Sequence, residues 1–359
     1  MDNPACRSIF QAAACRNHKN HLLPGKVDQK HPASDDLLSG ECNKPTTPNR
    51  NHDKDDNMTT TCSAPGKIYL FGEHAVVYGN RAIASAIDLR TTATVTESNK
   101  TTIVSSLGTT GIDYAVHPYI SRCIESLAVP AVSIRIDSEI PVGSGLGSSA
   151  AAVIATLGAL NCEFDLGMDS TALAELGHRI EQDVQGAASP TDTLVSTVGG
   201  TVMITPGVST SRLRLIECGI VIGDTEEFSS TKELVENVRI LHERYPAVMN
   251  SIFDTIDHLS EIGVAMIERR DYQSVGELMN IDHGLLDAIG VGSAKLSRLV
   301  YAARDAGAWS AKITGAGGGG CIVALASDAD VAAVASAIND AGGHAIATKA
   351  SRDGMMIAD

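Results

Sequence analysis

The sequence predicts a mixed α/β protein built in two units behind a polar N-terminal segment, and three observations predict it. A strand, a glycine-dense turn and a helix follow one another between residues 132 and 160. From about residue 60 onward, strand-like and helix-like stretches alternate, with a polar break at 206–214. Near the end, 311–325 places five glycines between two apolar strands.

A chain of 359 residues suffices for two domains or one large one. Hydrophobic residues make up 43% and aromatic residues 4%, so the expected core is aliphatic. The formal charge of −15 excludes a nucleic-acid partner, since no basic surface is present to release counterions. Residues 1–57 carry eight Lys/Arg and eight Asp/Glu, so the whole −15 lies in 58–359, where only six residues are Lys. Such an acidic, Lys-poor surface is one expected of a salt-rich cytoplasm. The eight Cys show no CxxC spacing. Cys62, Cys123, Cys162, Cys218 and Cys321 sit among apolar neighbours and read as reduced, buried thiols of a cytoplasmic protein. No apolar run reaches the length of a membrane span, and no signal-peptide core opens the chain.

The most informative stretch is Pro141, Val142, Gly143, Ser144, Gly145, Leu146, Gly147, Ser148, Ser149, Ala150 and Ala151. Val132–Asp137 before it alternates apolar and polar side chains, as a half-buried strand does; Ala150–Leu160 after it is Ala- and Leu-rich, as a helix is. Free N–H groups and positive dipole character at the helix start, with glycines that let backbone close on phosphate oxygens, make an anion site. Ser148 and Ser149 are placed to cap that helix, and a hydroxyl there also reaches a metal held by phosphates. A capped helix after a flexible turn needs fewer than the three glycines and three serines found in 143–149. A Walker loop is excluded, because no Lys occurs between 101 and 231. Gly145–Ala150 fits the loose dinucleotide fingerprint with Asp165 beyond it, but 162–169 makes a poor strand for that fold.

Residues 1–57, crowded with Asn, His, Asp, Lys and Pro, read as a disordered extension; Cys15, His18 and His21 lack the second Cys pair of a zinc site. Lys67–Phe71 is strand-like and leads into a turn with Glu73 and His74 between Gly72 and Gly79. Lys67, Glu73 and His74 read either as a polar substrate site or as a surface lysine beside a solvated turn. Ile83–Thr96 continues as strand, and His117–Leu127 as helix. Thr171–Val184 carries Leu173, Leu176, Ile180 and Val184 at helical spacing, with Glu181 near its end, where the dipole does not favour a carboxylate. Ser189, Pro190 and Asp192 then suit the cap, first and third positions of another helix, and capping alone would explain Asp192. Strands follow at 199–204 and 216–222, and the polar loop 206–214 marks the expected boundary between units of 58–210 and 211–359. A helix opens near Ser229–Lys232, amphipathic helices fill 248–305, and 331–339 is a helix before a strand at 344–349. Gly315–Gly320 also fits GxGxxG, but a strand follows it, so the dinucleotide reading fails there too.

Three stretches together resemble the three signatures of the GHMP small-molecule kinases, in order and over about 60–357: Ala64–Gly79, Pro141–Ala151 and Lys312–Gly320. Gly72-Glu-His-Ala-Val-Val-Tyr-Gly79, with Ser189–Asp192 and Ser230–Lys232, is similar to the mevalonate kinases of compact archaeal type. The resemblance implies an N-terminal α/β domain related to the second domain of ribosomal protein S5 and a C-terminal ferredoxin-like α+β domain. It implies a homodimer, and ATP plus (R)-mevalonate giving ADP plus 5-phosphomevalonate. Residues 141–151 would cradle ATP, and Ser149 and Glu181 would hold Mg²⁺. Asp192 matches the catalytic aspartate and Lys67 the lysine beside it. Glu73, His74 and Thr231 would surround mevalonate, and Arg239 would take its carboxylate. The other readings are a kinase for a related alcohol and a ligand sensor without turnover.

Overall fold

In the computed structural model, residues 59–186 and 189–358 are described. The expected extension over 1–57, with Cys15, His18 and His21, lies outside the described residues.

The first sheet is organised by a long antiparallel hairpin of β1 (Thr59–Phe71) and β2 (Ala82–Glu97). At sixteen residues, β2 serves two neighbours: 82–85 pair with β6 (Thr201–Thr205) and 91–97 with β5 (Val132–Ser138). β5 shows the alternation that the sequence promised, with Val132, Ile134 and Ile136 buried and Ser133, Arg135 and Asp137 exposed. The hairpin of β3 (Thr102–Ser105) and β4 (Gly108–Thr110) extends the sheet, β3 running parallel to β5. Four helices cover this sheet: α1 (Pro118–Leu127), α2 (Ser148–Glu163), α3 (Ser170–Gln185) and α4 (Pro190–Val198). α2 packs on β1 and β2 while α1, α3 and α4 pack around it. Being surrounded, α2 is apolar on all sides, with Val153, Ile154, Leu157 and Leu160 buried.

The second sheet has the order β11–β8–β10–β9, all antiparallel: β8 (Gly219–Asp224), β9 (Ser310–Thr314), β10 (Cys321–Ala326) and β11 (His344–Thr348). Taken in chain order, its strands lie 4-1-3-2, the ferredoxin-like arrangement. Four helices, α5 (Thr231–Arg244), α6 (Pro246–Glu268), α7 (Tyr272–Ala288) and α8 (Ala294–Asp305), fill the crossover from β8 to β9, and α9 (Val331–Asp340) links β10 to β11.

Four strands differ from expectation. The polar segment 206–214 holds β7 (Ser209–Leu213), which pairs with β6, so the expected division at 210 falls inside a strand of the first sheet. The chain then returns to that sheet at its end, where β12 (Met356–Ala358) pairs with β1. β3 and β4 were not anticipated either; these strands are three to five residues long, and β4 and β7 are polar. Cys162, expected buried, is exposed because it lies on the last turn of α2, while Cys62, Cys123, Cys218 and Cys321 are buried.

The returning chain crosses the backbone at the end of α4 closely. Met355 N–H donates to the Thr197 carbonyl at 3.0 Å, and a Cβ on Gly354 would stand 2.1 Å from that oxygen. Gly354→Ala is therefore expected to cost about 1–3 kcal/mol, as overpacking does, read as a lower urea midpoint. An unchanged midpoint would show that this crossing carries no stability.

Candidate active site

The site begins at a bulge in β1 between Pro65 and Gly66. There the Lys67 N–H leaves the sheet and donates to the Leu146 carbonyl of the Gly-Ser loop at 2.8 Å. A Cβ at Gly66 would lie 2.9 Å from the same oxygen, so glycine permits the approach. The Lys67 side chain, 2% exposed, donates from Nζ to the Gly145 carbonyl at 2.9 Å. The same Nζ lies 3.5 Å from Asp192 Oδ1 and 4.4 Å from the centre of the Tyr69 ring. A buried ammonium needs such partners, and here a carbonyl, a carboxylate and a ring face supply them.

Asp192 reaches Lys67 because Ser189 does the capping. The Ser189 hydroxyl accepts from the Thr191 N–H at 3.2 Å, with Pro190 at the first helical position. The cap that would have accounted for Asp192 is thus supplied elsewhere, and its carboxylate turns to Lys67 in the first turn of α4, where the dipole favours an anion.

Ser148 and Ser149 do not cap α2, contrary to expectation. Gly147 takes the cap position in a left-handed conformation, and no side chain closes the helix start. The Ser149 hydroxyl instead donates to Glu181 Oε1 at 2.7 Å. This start therefore keeps its first N–H groups uncapped by side chains, as an anion site requires. From the second sheet, the segment after β9 backs the loop: Cβ atoms at Gly315 and Gly320 would stand 3.0 and 2.8 Å from the Gly145 and Ser144 carbonyls.

Glu181 on α3 is 3% exposed, and burial, then the charge of Asp192, push its carboxyl up to about 7. The Ser149 hydroxyl and Lys67 pull the other way. Two carboxylates and a hydroxyl are hard oxygen donors, and a divalent cation would relieve the crowding of negative charge, so these residues fit one. Among the described residues no group of three or more His, Cys, Asp or Glu is placed to hold a metal. An ion here would complete its shell from phosphate oxygens and water, as small hard cations do.

The surface reading of Lys67, Glu73 and His74 is overturned, since all three are buried. Glu73 pairs with Lys312 of β9, and His74, at φ 60°, donates from Nε2 to the Ala316 carbonyl at 2.9 Å. Glu73 thus has its partner on β9 and His74 on the glycine segment that follows it. Thr231 is exposed at the first position of α5, with Ser230 as the cap. The preceding Phe228 ring lies 3.3 Å from where a Gly143 Cβ would stand, which sets this helix mouth beside the loop. Arg239 is not brought to Lys67 and Asp192. It is 46% exposed on α5, and its guanidinium is taken by Glu236 at 2.7 Å and by Glu243.

Three residues escaped the sequence reading. Tyr69 shares a strand face with Lys67; burial raises its phenol well above the ordinary range, and its hydroxyl faces Thr191 and Ser189. Lys312 and Asp282 form a buried ion pair at 3.2 Å. The period-two spacing of Lys67 and Tyr69 was a usable signal.

The chain is similar in sequence and fold to known proteins. Residues 115–200 match the GHMP kinases N terminal domain and 264–344 the GHMP kinases C terminal domain. The mevalonate kinase of Thermococcus sibiricus is 43% identical over 332 residues, 84% of this chain and 99% of that protein. The chain belongs to the mevalonate kinase family. The Archaeoglobus fulgidus mevalonate kinase is 44% identical over 270 residues, covering 73% of this chain and 91% of that one. Among solved structures, Methanococcus jannaschii mevalonate kinase superposes with a TM-score of 0.70 at 27% identity, over 83% of this chain and 100% of that one. A Lactococcus lactis galactokinase complexed with galactose reaches 0.71 at 20% identity, covering 83% of this chain and 95% of that one. The fold is therefore common to kinases of different alcohols, and the mevalonate kinase family is set by sequence.

Glu181 gives this family member a pH signature. Its folded-state pKa lies above the ordinary 4.5, so between about 4.5 and 7 the folded chain holds a proton that the unfolded chain releases. Its contribution to metal-free stability is thus expected to fall as pH rises through that window. Tm measured against pH in chelator should decline less steeply in Glu181→Gln; parallel profiles would remove Glu181 as the source.

Proposed function

We propose that this chain transfers the γ-phosphoryl group of ATP to the C5 hydroxyl of (R)-mevalonate, giving ADP and 5-phosphomevalonate. The observation that carries the proposal is the Lys67–Asp192 pair, enclosed at 3.5 Å beside the open start of α2. Such transfer needs a phosphate cradle, charge neutralisation and an oriented hydroxyl, and little covalent chemistry from the protein.

The loop 141–151 receives the phosphates on its backbone N–H groups. Ser149 and Glu181 hold Mg²⁺, which when bound offsets the negative charge of the phosphate oxygens. Lys67 makes the mevalonate hydroxyl more acidic and stabilises the charge of the transferring group. Asp192 accepts the hydroxyl proton as the new O–P bond forms and the bond from Pγ to the bridging oxygen of ADP breaks. Glu73, His74 and Thr231 surround the acceptor. The family resemblance supports a homodimer as the assembly, which sedimentation of the purified chain would test. Among the described residues no helix is long and apolar enough to cross a membrane, and small polar substrates suit residence in the cytoplasm.

ADP release should be measured with ATP, Mg²⁺ and, in turn, mevalonate, phosphomevalonate, galactose and homoserine. Turnover with mevalonate alone is expected; turnover with another acceptor would overturn the substrate, and turnover with none would favour a ligand sensor. Asp192→Asn is expected to lower kcat by about 10²–10⁴-fold with ATP affinity little changed. Near-normal turnover would return Asp192 to a role in the helix start alone.

A further inference from the structure

Lys312 is wholly buried on β9, a strand of the second sheet, yet its ammonium reaches a residue of the first unit. Nζ meets Glu73 Oε1, donates to the Ile313 carbonyl at 2.8 Å and lies 3.2 Å from Asp282 Oδ2 of α7. Glu73 and Asp282 are both buried as well. One cation therefore stands between two carboxylates that water does not reach.

The balance within this cluster is uneven. Glu73 Oε2 and Asp282 Oδ1 are buried without a hydrogen-bond donor among the described residues, and Asp282 Oδ2 has only the Lys312 ammonium at 3.2 Å. A buried carboxylate oxygen without a donor is costly, so one that persists asks for a partner. For Asp282, burial raises the carboxyl to about 7, and carrying its proton relieves it. Glu73 lies within hydrogen-bond reach of that carboxyl, and Lys312 fixes one of its oxygens while the other, Oε2, is buried without a partner. The turn that carries Glu73 leads from the strand of Lys67 and Tyr69, and the charges of both Glu73 and Asp192 act on the Tyr69 phenol. Glu73 Oε2 is thus a hydrogen-bond acceptor within electrostatic reach of the phosphoryl-transfer pair.

We infer that Lys312, itself steadied by Asp282, is a positioning residue that holds Glu73 with one oxygen free to accept a hydrogen bond from the alcohol substrate. The inference rests on the proposed function. Lys312 never touches the alcohol and acts only through Glu73. It also makes acceptor binding depend on the seating of the second sheet against the first, since the ion pair spans 239 residues of chain.

The test is steady-state kinetics on the full chain with mevalonate and ATP. Lys312→Met is expected to raise KM for mevalonate about tenfold or more, the size of effect seen when an orienting partner is removed, while KM for ATP stays near wild type. Lys312→Arg, which can still pair with a carboxylate, should restore part of the loss. In a Glu73→Gln background, Lys312→Met should add little to the rise in KM, because the two residues act in one chain of contacts. Asp282→Asn keeps the Lys312–Glu73 pair and should raise KM less than Lys312→Met does; it also serves if the methionine variant fails to fold. Equal rises in both KM values, additive effects in the double variant, or a rise in Asp282→Asn as large as any other would overturn the inference. A wild-type chain that does not phosphorylate mevalonate would overturn the proposed function, and this inference with it. An active wild type with an unchanged KM in Lys312→Met would overturn the inference alone.

Discussion

Two lysines shielded from water hold the functional part of this molecule together. Lysine is among the residues least often buried, and a buried ammonium must be met by acceptors from whichever elements can reach it. Lys67 gathers the Gly145 carbonyl and the Asp192 carboxylate, so it joins β1 to the phosphate loop and to α4. Lys312 gathers Glu73, Asp282 and the Ile313 carbonyl, so it joins β9 to α7 and to the turn after β1. A buried ion pair adds little net stability against a well-packed apolar alternative, yet losing one partner is severe, since the other charge is left stranded. Such pairs fix which elements meet rather than how strongly.

Between the two lysines runs a seam of polar contacts. The Tyr69 N–H donates to Thr314 Oγ1 at 2.9 Å, Glu73 meets Lys312, and His74 donates to the Ala316 carbonyl. The partners on one side are the strand and turn of 67–74, and on the other the strand and glycine segment of 312–320. Glycines at 145, 315 and 320 then let the loop and its support meet backbone to backbone. The three sequence signatures are thus parts of one joint.

Much of this was legible in the chain. The strand, glycine turn and helix around 141–160 announced themselves by periodicity, and the ferredoxin-like order followed from the family resemblance. What stayed hidden depends on distant partners. Whether Asp192 caps its own helix or faces a lysine turns on Ser189 being the better cap and on Lys67 arriving from β1. Glu73 and His74 read equally well as solvated, because the strand that buries them lies some 240 residues later. Asp282 looked like an ordinary polar position on an amphipathic helix. Arg239 is paired locally, as Glu236 and Glu243 sit at helical spacing on either side of it and claim its guanidinium. The edge strands β4, β7 and β12 are only three to five residues long, too short for a period to show, so pairing and not pattern makes them strands.

The charge of the site bears on how nucleotide can bind at all. Beside the loop the ammonium of Lys67 faces the carboxylates of Glu181 and Asp192, within a chain of net charge −15. A triphosphate entering alone would meet backbone N–H groups and one ammonium, opposed by two carboxylates in a region of low dielectric. Lys67 cannot offset this, because it is already engaged with Asp192 and the Gly145 carbonyl. Glu181, pushed up to about 7, answers the repulsion in part by keeping its proton. Nucleotide arriving with a divalent cation changes the balance, since the cation gives Glu181 a reason to release that proton. With Glu181 in its proposed role as metal ligand, binding of nucleotide, binding of metal and ionisation of Glu181 would be one linked event.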